Sequence, residues 1–154
     1  MRLYLVRHGK AEQGGGEWER PLTARGIRDV GRIAACLEKA GCRVARVVHS
    51  GRTRARQTAE LLSAAVNPQG RVEEMRIGLQ PDDATDVLAK AAAGWDDDVM
   101  VVGHQPFMGR MAAHLLCGDS GVPLVTVKTG SVICCERTGG GWALCWMIVP
   151  SIVV

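Results

Sequence analysis

The 154-residue sequence predicts an α/β fold, a three-layer sandwich whose mostly parallel sheet is flanked by helices and ends in a C-terminal antiparallel hairpin. Three observations predict it. Short apolar runs of strand length alternate with segments of helical period, as crossover connections require. Three of the first four strands end abruptly in a polar, histidine-containing turn. Beyond Gly121 the alternation gives way to two β-rich runs around a glycine turn. Right-handed crossovers then place helices on both faces of the sheet, and the length suits a single domain over 1–154.

Leu3 to Val6 is a buried first strand that stops at Arg7-His8-Gly9, and Gln13-Gly14-Gly15-Gly16 reads as loop. Thr23 is placed to cap a first helix with apolar positions Ile27, Val30, Ala34 and Leu37, and Gly41 supplies its stop. Val44 to Val48 is the second strand. Arg52 to Ala65 forms the second helix, with Ala55, Ala59, Leu62 and Val66 on one side and Arg54 and Gln57 directed elsewhere. Asn67-Pro68-Gln69-Gly70 ends that helix, and Val72 to Ile77 is a short third strand. Ala84, Val87, Leu88 and Ala91 mark a third helix, and Val99 to Val102 a fourth strand. Gly103-His104-Gln105-Pro106 turns that strand into a fourth helix, with Pro106 in its first turn. Ser131 to Glu136 and Trp142 to Val149, separated by Thr138-Gly139-Gly140-Gly141, form the hairpin; Trp142 and Trp146 are expected on one strand face.

Composition removes several function classes. The formal charge is only +3, and nineteen Lys and Arg are interspersed with sixteen acidic residues, so nucleic acid is not the expected partner. The four tryptophans do not alternate with basic residues as a stacking platform would. Neither terminal apolar run is long enough for a signal peptide or a membrane span, which predicts a cytoplasmic protein with no membrane partner. The six cysteines include no C-x-x-C pair and are expected to be buried, reduced thiols.

Ligands of such sheets gather at the carboxyl ends of the strands, where His8, His49 and His104 fall. Three imidazoles would suit a metal, but Arg7 and Arg54 beside the same site would repel a cation, so no metal or other cofactor is expected. Those arginines suit a tetrahedral dianion, and His104 at a helix start with Gly103 before it suits an anion as well. No cysteine is followed six places later by arginine, Asp96-Asp97-Asp98 precedes a strand instead of following one, and no G-x-x-x-x-G-K-[ST] loop is present. Cysteine phosphatase, aspartyl-phosphate and nucleotide-dependent chemistries therefore lack their parts. Hydrolysis at an anion-binding site is the simpler reading.

The residues Leu5-Val6-Arg7-His8-Gly9, Arg20-Pro21-Leu22-Thr23 with Gly26, His49-Ser50 followed by Arg54-Ala55-Arg56-Gln57-Thr58-Ala59, and Val102-Gly103-His104-Gln105-Pro106 resemble the histidine phosphatase superfamily, whose fold is that of phosphoglycerate mutase. Order and spacing match over about two-thirds of the chain, and the short length is most similar to the small bacterial phosphohistidine phosphatases. The resemblance implies that His8 is phosphorylated while Arg7, Arg54 and His104 surround the phosphoryl oxygens. It places Gly9, Arg20, Ser50 and Gln105 in phosphate or substrate binding and His49 in support of the site. The substrate it implies is a phosphorylated protein of the histidine phosphotransfer type, with inorganic phosphate as product. A small phosphorylated molecule, or a phosphoprotein bound without hydrolysis, are the alternatives.

In the expected reaction neutral His8 attacks phosphorus in line, its other ring nitrogen held by a carbonyl such as that of Gly9, with Arg7, Arg54 and protonated His104 on the oxygens. Phosphoester-cleaving relatives carry a carboxylic acid near mid-chain, and Arg76 to Asp83 has no clear glutamate match. Asp82 or Asp83 is the candidate acid, each equally readable as a solvated residue before the third helix. A missing acid favours phosphohistidine, because imidazole leaves with less protonation than an alkoxide. His114, inside the fourth helix, reads as packing.

Overall fold

Side chains alternate across a strand, so a strand apolar at every position must be covered on both faces. The first and fourth strands meet that condition: Leu3, Leu5, Val6, Val101 and Val102 have no solvent exposure. The computed structural model describes residues 1–154, and in it these two strands lie side by side at the centre of a six-stranded sheet. The strands are β1 (Arg2–Arg7), β2 (Arg46–His49), β3 (Arg71–Glu74), β4 (Val99–Gly103), β5 (Val132–Thr138) and β6 (Gly141–Ile148), in the spatial order β3-β2-β4-β1-β5-β6. β3, β2, β4 and β1 are parallel, β5 runs antiparallel to β1, and β6 antiparallel to β5.

Helices α1 (Ala24–Lys39) and α2 (Thr53–Val66) cover one face, packing Val30, Ile33, Leu37, Ala59 and Leu62 onto Tyr4, Val6, Met100 and Val102. Helices α3 (Thr85–Ala93) and α4 (Phe107–Cys117) cover the other, packing Leu88, Phe107, Met108 and Met111 onto Leu3, Leu5 and Val101. Burying each of these larger side chains contributes about 1.5–3 kcal/mol. The Thr23 hydroxyl caps α1 by accepting the Gly26 N–H at 2.9 Å, and Gly41 follows its end at a φ of 71°.

Three local expectations are corrected. Ile27 is half exposed, and Ile33, fully enclosed, takes the core position in the next turns of α1. The third strand stops at Glu74, leaving Ile77 in solvent, because β3 is an edge strand with no outer neighbour to hold it. Trp142 and Trp146 do not share a face. Cys134 pairs with Trp146 but Cys135 with Leu144, so Cys145 is an extra residue in β6 and the parity of side chains reverses across it. Trp146 consequently packs on the α1/α2 side, 5.9 Å from Tyr4, and Trp142 on the α3/α4 side.

All six cysteines are free, and Cys134 and Cys135 point to opposite faces, where burial pushes both thiols up to about 12. The expectation that all are buried does not hold, since Cys117 and Cys145 are exposed. No helix is long and apolar enough to cross a membrane.

Candidate active site

β4 lies between β1 and β2, so the chain leaves three adjacent strands at one edge of the sheet. The His8 N–H donates to the Gly103 carbonyl at 3.0 Å and the Ser50 N–H to the Val102 carbonyl at 3.2 Å, which extends the ladder by one step and aligns the three turns. Beyond it opens a cleft of about 600 Å³ whose lining includes Arg7, His8, Arg20, Arg54, His104 and Gln105. The sequence-derived groups that meet here are therefore these six. The His8 and His104 rings face each other with centroids 5.0 Å apart.

His8 is held in one tautomer. Its Nδ1 lies 2.7 Å from the Gly9 carbonyl oxygen and must donate to it, which leaves Nε2 without a proton. Arg54 Nε sits 3.3 Å from that nitrogen. Burial pushes His8 down to about 4; the Gly9 contact opposes this, and Arg54, Arg7 and Arg20 reinforce it. The free lone pair is thus available at neutral pH, beside a guanidinium.

The backbone that presents His8 is itself fixed from α1 and α2. The Gly9 N–H donates to Thr58 Oγ1 at 3.0 Å, and that hydroxyl donates to the Arg54 carbonyl at 2.7 Å. Gln57 accepts the Leu22 N–H at 2.8 Å. Gly26 permits the close approach of α1, since a Cβ there would lie 2.2 Å from the Lys10 carbonyl oxygen. Neither Thr58 nor Gln57 was singled out from sequence as a site residue, although both stand in the Arg54 to Ala59 run, because what they hold is the backbone of a distant loop.

Several expected site residues act differently from the sequence reading. Both polar groups of Gly9 are engaged, its carbonyl by His8 and its N–H by Thr58, so Gly9 positions the His8 ring. Ser50 is completely buried behind the cleft, its Oγ 2.6 Å from His104 Nε2. Gln105 lines the cleft, but its Oε1 accepts the Gly109 N–H at 2.8 Å in the first turn of α4, leaving only its amide nitrogen for a ligand. His49 accepts the Gly51 N–H through Nδ1 at 3.1 Å and shapes the turn that carries Ser50. No three His, Cys, Asp or Glu side chains come together as a metal cage would need. His114 bonds Thr85 at 2.7 Å and ties α4 to α3.

The two acid candidates are not brought to the cleft. Asp83 accepts the Gly78 and Gln80 N–H groups at 2.6 and 3.0 Å, which folds the turn before α3, and of this segment only Pro81 lines the cleft. Asp82 lies outside it as well. The carboxylates that do line it are Glu17 and Asp29. Glu17 contacts Arg52 at 2.9 Å, Arg20 at 3.2 Å and Arg54 at 3.3 Å. Its partial enclosure opposes ionisation, but Arg20, Arg54 and Arg52 outweigh that and hold the carboxyl below its usual range. Sequence offered no signal for Glu17 beyond its place in a loop of variable shape. Replacing Glu17 with glutamine removes a negative charge that competes for the same guanidinium donors, and is expected to tighten inorganic phosphate binding about threefold to tenfold, read by calorimetry at low salt.

His104, expected to be protonated while it holds the phosphoryl oxygens, stands in surroundings that disfavour that charge. Burial first, then His8, Arg54, Arg52 and Arg20, push it down to about 2. With Nε2 engaged by Ser50, the remaining nitrogen Nδ1 is buried and without a partner. A Ser50 hydroxyl donating to Nε2 makes Nδ1–H a donor for a phosphoryl oxygen with no charge required.

These depressed values have a stability consequence whose sign is fixed. Unfolded, each histidine takes up a proton near its ordinary value of 6.5, whereas folded His8 stays neutral to about 4 and His104 lower still. The unfolded chain then binds more protons, so stability is complete above about pH 6.5 and falls as the pH drops toward 4. A loss of roughly 2–3 kcal/mol between pH 6.5 and 5 is expected in urea unfolding, with the slope about halved in His8→Asn.

Comparison with known proteins accords with this geometry. Residues 3–80 match the family model described as the histidine phosphatase superfamily (branch 1). An uncharacterized protein of Picosynechococcus sp. is 32% identical over 140 residues, covering 86% of this chain and 83% of its own length. Phosphohistidine phosphatase SixA of Escherichia coli is 26% identical over 154 residues, covering 97% and 94%. A structure of the protein histidine phosphatase SixA complexed with tungstate superposes with a TM-score of 0.85 at 25% identity, covering 98% of each chain.

Proposed function

The chain belongs to the histidine phosphatase superfamily, and on that premise we propose that residues 1–154 form one phosphatase domain that hydrolyses phosphohistidine through a covalent intermediate on His8. The observation that carries the choice of substrate is the acid inventory of the cleft. Glu17 is held ionised by three arginines, and Asp29 is paired with Arg25 and Arg32 at 3.6 and 2.7 Å, so the cleft offers an alkoxide no unpaired carboxyl group. Imidazole departs from phosphorus with little such help. The similarity to SixA, a phosphohistidine phosphatase, supports the same reading.

In the first step His8 Nε2 forms a bond to phosphorus as the substrate N–P bond breaks, and the departing imidazole takes a proton from solvent. Arg7, Arg54 and the His104 Nδ1–H receive the oxygens, where charge spreads in the transition state. Arg20 and the Gln105 amide stand at the rim of the same cleft. In the second step water attacks the phosphorus of phospho-His8, the N–P bond breaks, and inorganic phosphate leaves with His8 neutral again. The substrate is a phosphorylated protein of the histidine phosphotransfer type.

A panel of substrates tests the proposal: phosphohistidine is expected to turn over with a kcat/KM at least about 100-fold above sugar phosphates. Efficient hydrolysis of sugar phosphates with none of phosphohistidine would establish a small-molecule phosphomonoesterase instead. Binding of both without turnover would establish a phosphoprotein-binding module.

A further inference from the structure

The exposed side of α1 continues the catalytic cleft. Arg25, Arg28 and Arg32 recur at helical spacing on one face, and together with Asp29, Gly31 and Ala35 they line a second depression of about 600 Å³. Arg25 and Asp29 belong to both depressions, so the second adjoins the cleft at His8 and extends along roughly 15 Å of helix.

Its charge is unbalanced. Asp29 is the acidic residue of the α1 depression and is held by Arg25 and Arg32. Arg28 and Lys10, the latter on the cleft lining, have no carboxylate partner. A free phosphorylated metabolite in the cleft at His8 reaches no farther along α1 than Arg25 and Asp29, and leaves Arg28 and Arg32 untouched. We propose that the Arg25-Arg28-Arg32 ridge docks an acidic protein surface surrounding the phosphohistidine, which makes a protein the substrate in preference to a small molecule.

The proposal rests on the phosphohistidine reading of the same site and names what that reading leaves open. Protein is favoured over nucleic acid by the aromatic side chains. The ridge carries none, and Trp18 lies outside the lining of both depressions, with Arg52 and Arg76 at 5.2 and 5.6 Å from its ring.

The test uses the full chain, with Arg28→Glu and Arg28→Lys, and three probes: a phosphohistidine peptide flanked by glutamates, the same peptide flanked by lysines, and free phosphohistidine. Wild type is expected to prefer the acidic peptide about tenfold over the basic one at low salt, with the preference fading by 0.5 M NaCl. Arg28→Glu is expected to lose that preference while turning over free phosphohistidine as wild type does, and Arg28→Lys to keep it. Equal kcat/KM of Arg28→Glu and wild type on the acidic peptide overturns the proposal, as does an equal fall on free phosphohistidine. Failure of wild type to hydrolyse any probe overturns the catalytic reading. The ridge is then judged by fluorescence anisotropy with the unphosphorylated acidic peptide, where binding not weakened by Arg28→Glu refutes docking. Single-stranded DNA that binds wild type but not Arg28→Glu, with no peptide preference, assigns the ridge to nucleic acid and overturns the proposal.

Discussion

With His8 replaced by alanine, rapid quench with a labelled phosphoryl donor is expected to find no acid-labile phosphoenzyme, and turnover is expected to fall about 10⁴-fold or more. The size follows from the site. Nε2 of His8, the proposed nucleophile, is left without a proton by the tautomer bond to the Gly9 carbonyl, and burial beside Arg54 keeps it so at neutral pH. The two-step reaction has no second route: His104 offers a buried nitrogen whose ring is committed to Ser50, and the cleft carboxylates are ion-paired. Label that persists in the alanine variant would refute His8 as the acceptor. At pH 8, where wild-type His8 is neutral in both states, any shift of the urea midpoint in the variant reports only the packing and the Gly9 hydrogen bond lost with the ring.

Arg54→Ala is the second large effect, about 10²–10³-fold in single-turnover phosphorylation, with the phosphoenzyme still formed. Its guanidinium is 3% exposed and divides its donors between the nucleophile and the Glu17 backbone, 2.6 Å away. Removing it takes one positive charge from the developing phosphoryl oxygens and loosens the loop that carries Glu17. The pKa of His8 should also rise toward its ordinary value, because Arg54 is among the charges that hold it down. The acidic limb of the rate profile is then expected to move to higher pH. Lysine at this position should restore little, since a single ammonium cannot reproduce a fork that contacts Nε2, a carbonyl and a carboxylate together.

The convergence of these residues on one cleft was legible in the sequence for a topological reason. Arg7, His8 and His104 follow strands whose apolar runs are unmistakable, and a parallel sheet brings such strand ends together whatever the details of packing. Arg54 was legible because it departs from the apolar face of α2 one residue before Ala55. What sequence does not encode locally is whether a polar side chain meets the ligand or a neighbouring group. Ser50 and Gln105 sit where a phosphate-binding residue should, yet their oxygens are taken by His104 and by the start of α4. Asp83 was close to the site in sequence logic and is occupied with its own turn. Glu17 reaches three arginines because its loop folds over α2, an outcome of long-range contacts such as the Thr53 N–H donating to the Trp18 carbonyl. The hairpin tryptophans were misplaced because period-two alternation assumes an uninterrupted ladder, and one added residue in β6 is silent in composition.

That added residue bears on how the open edge of the sheet meets other chains. An outer strand offers unpaired N–H and C=O groups to any passing chain, and β6, eight residues long with Leu144 exposed, is the more inviting of the two sheet margins. The opposite margin, β3, is only four residues long and carries Arg71, Glu73 and Glu74, so charge and shortness protect it. β6 has neither defence over its middle. The kink at Cys145 breaks the regular spacing of its outward-facing hydrogen-bond groups, so a straight incoming strand can match one half of β6 but not both. The irregularity that turns Trp146 toward Tyr4 thus also acts as a guard against strand-by-strand polymerisation.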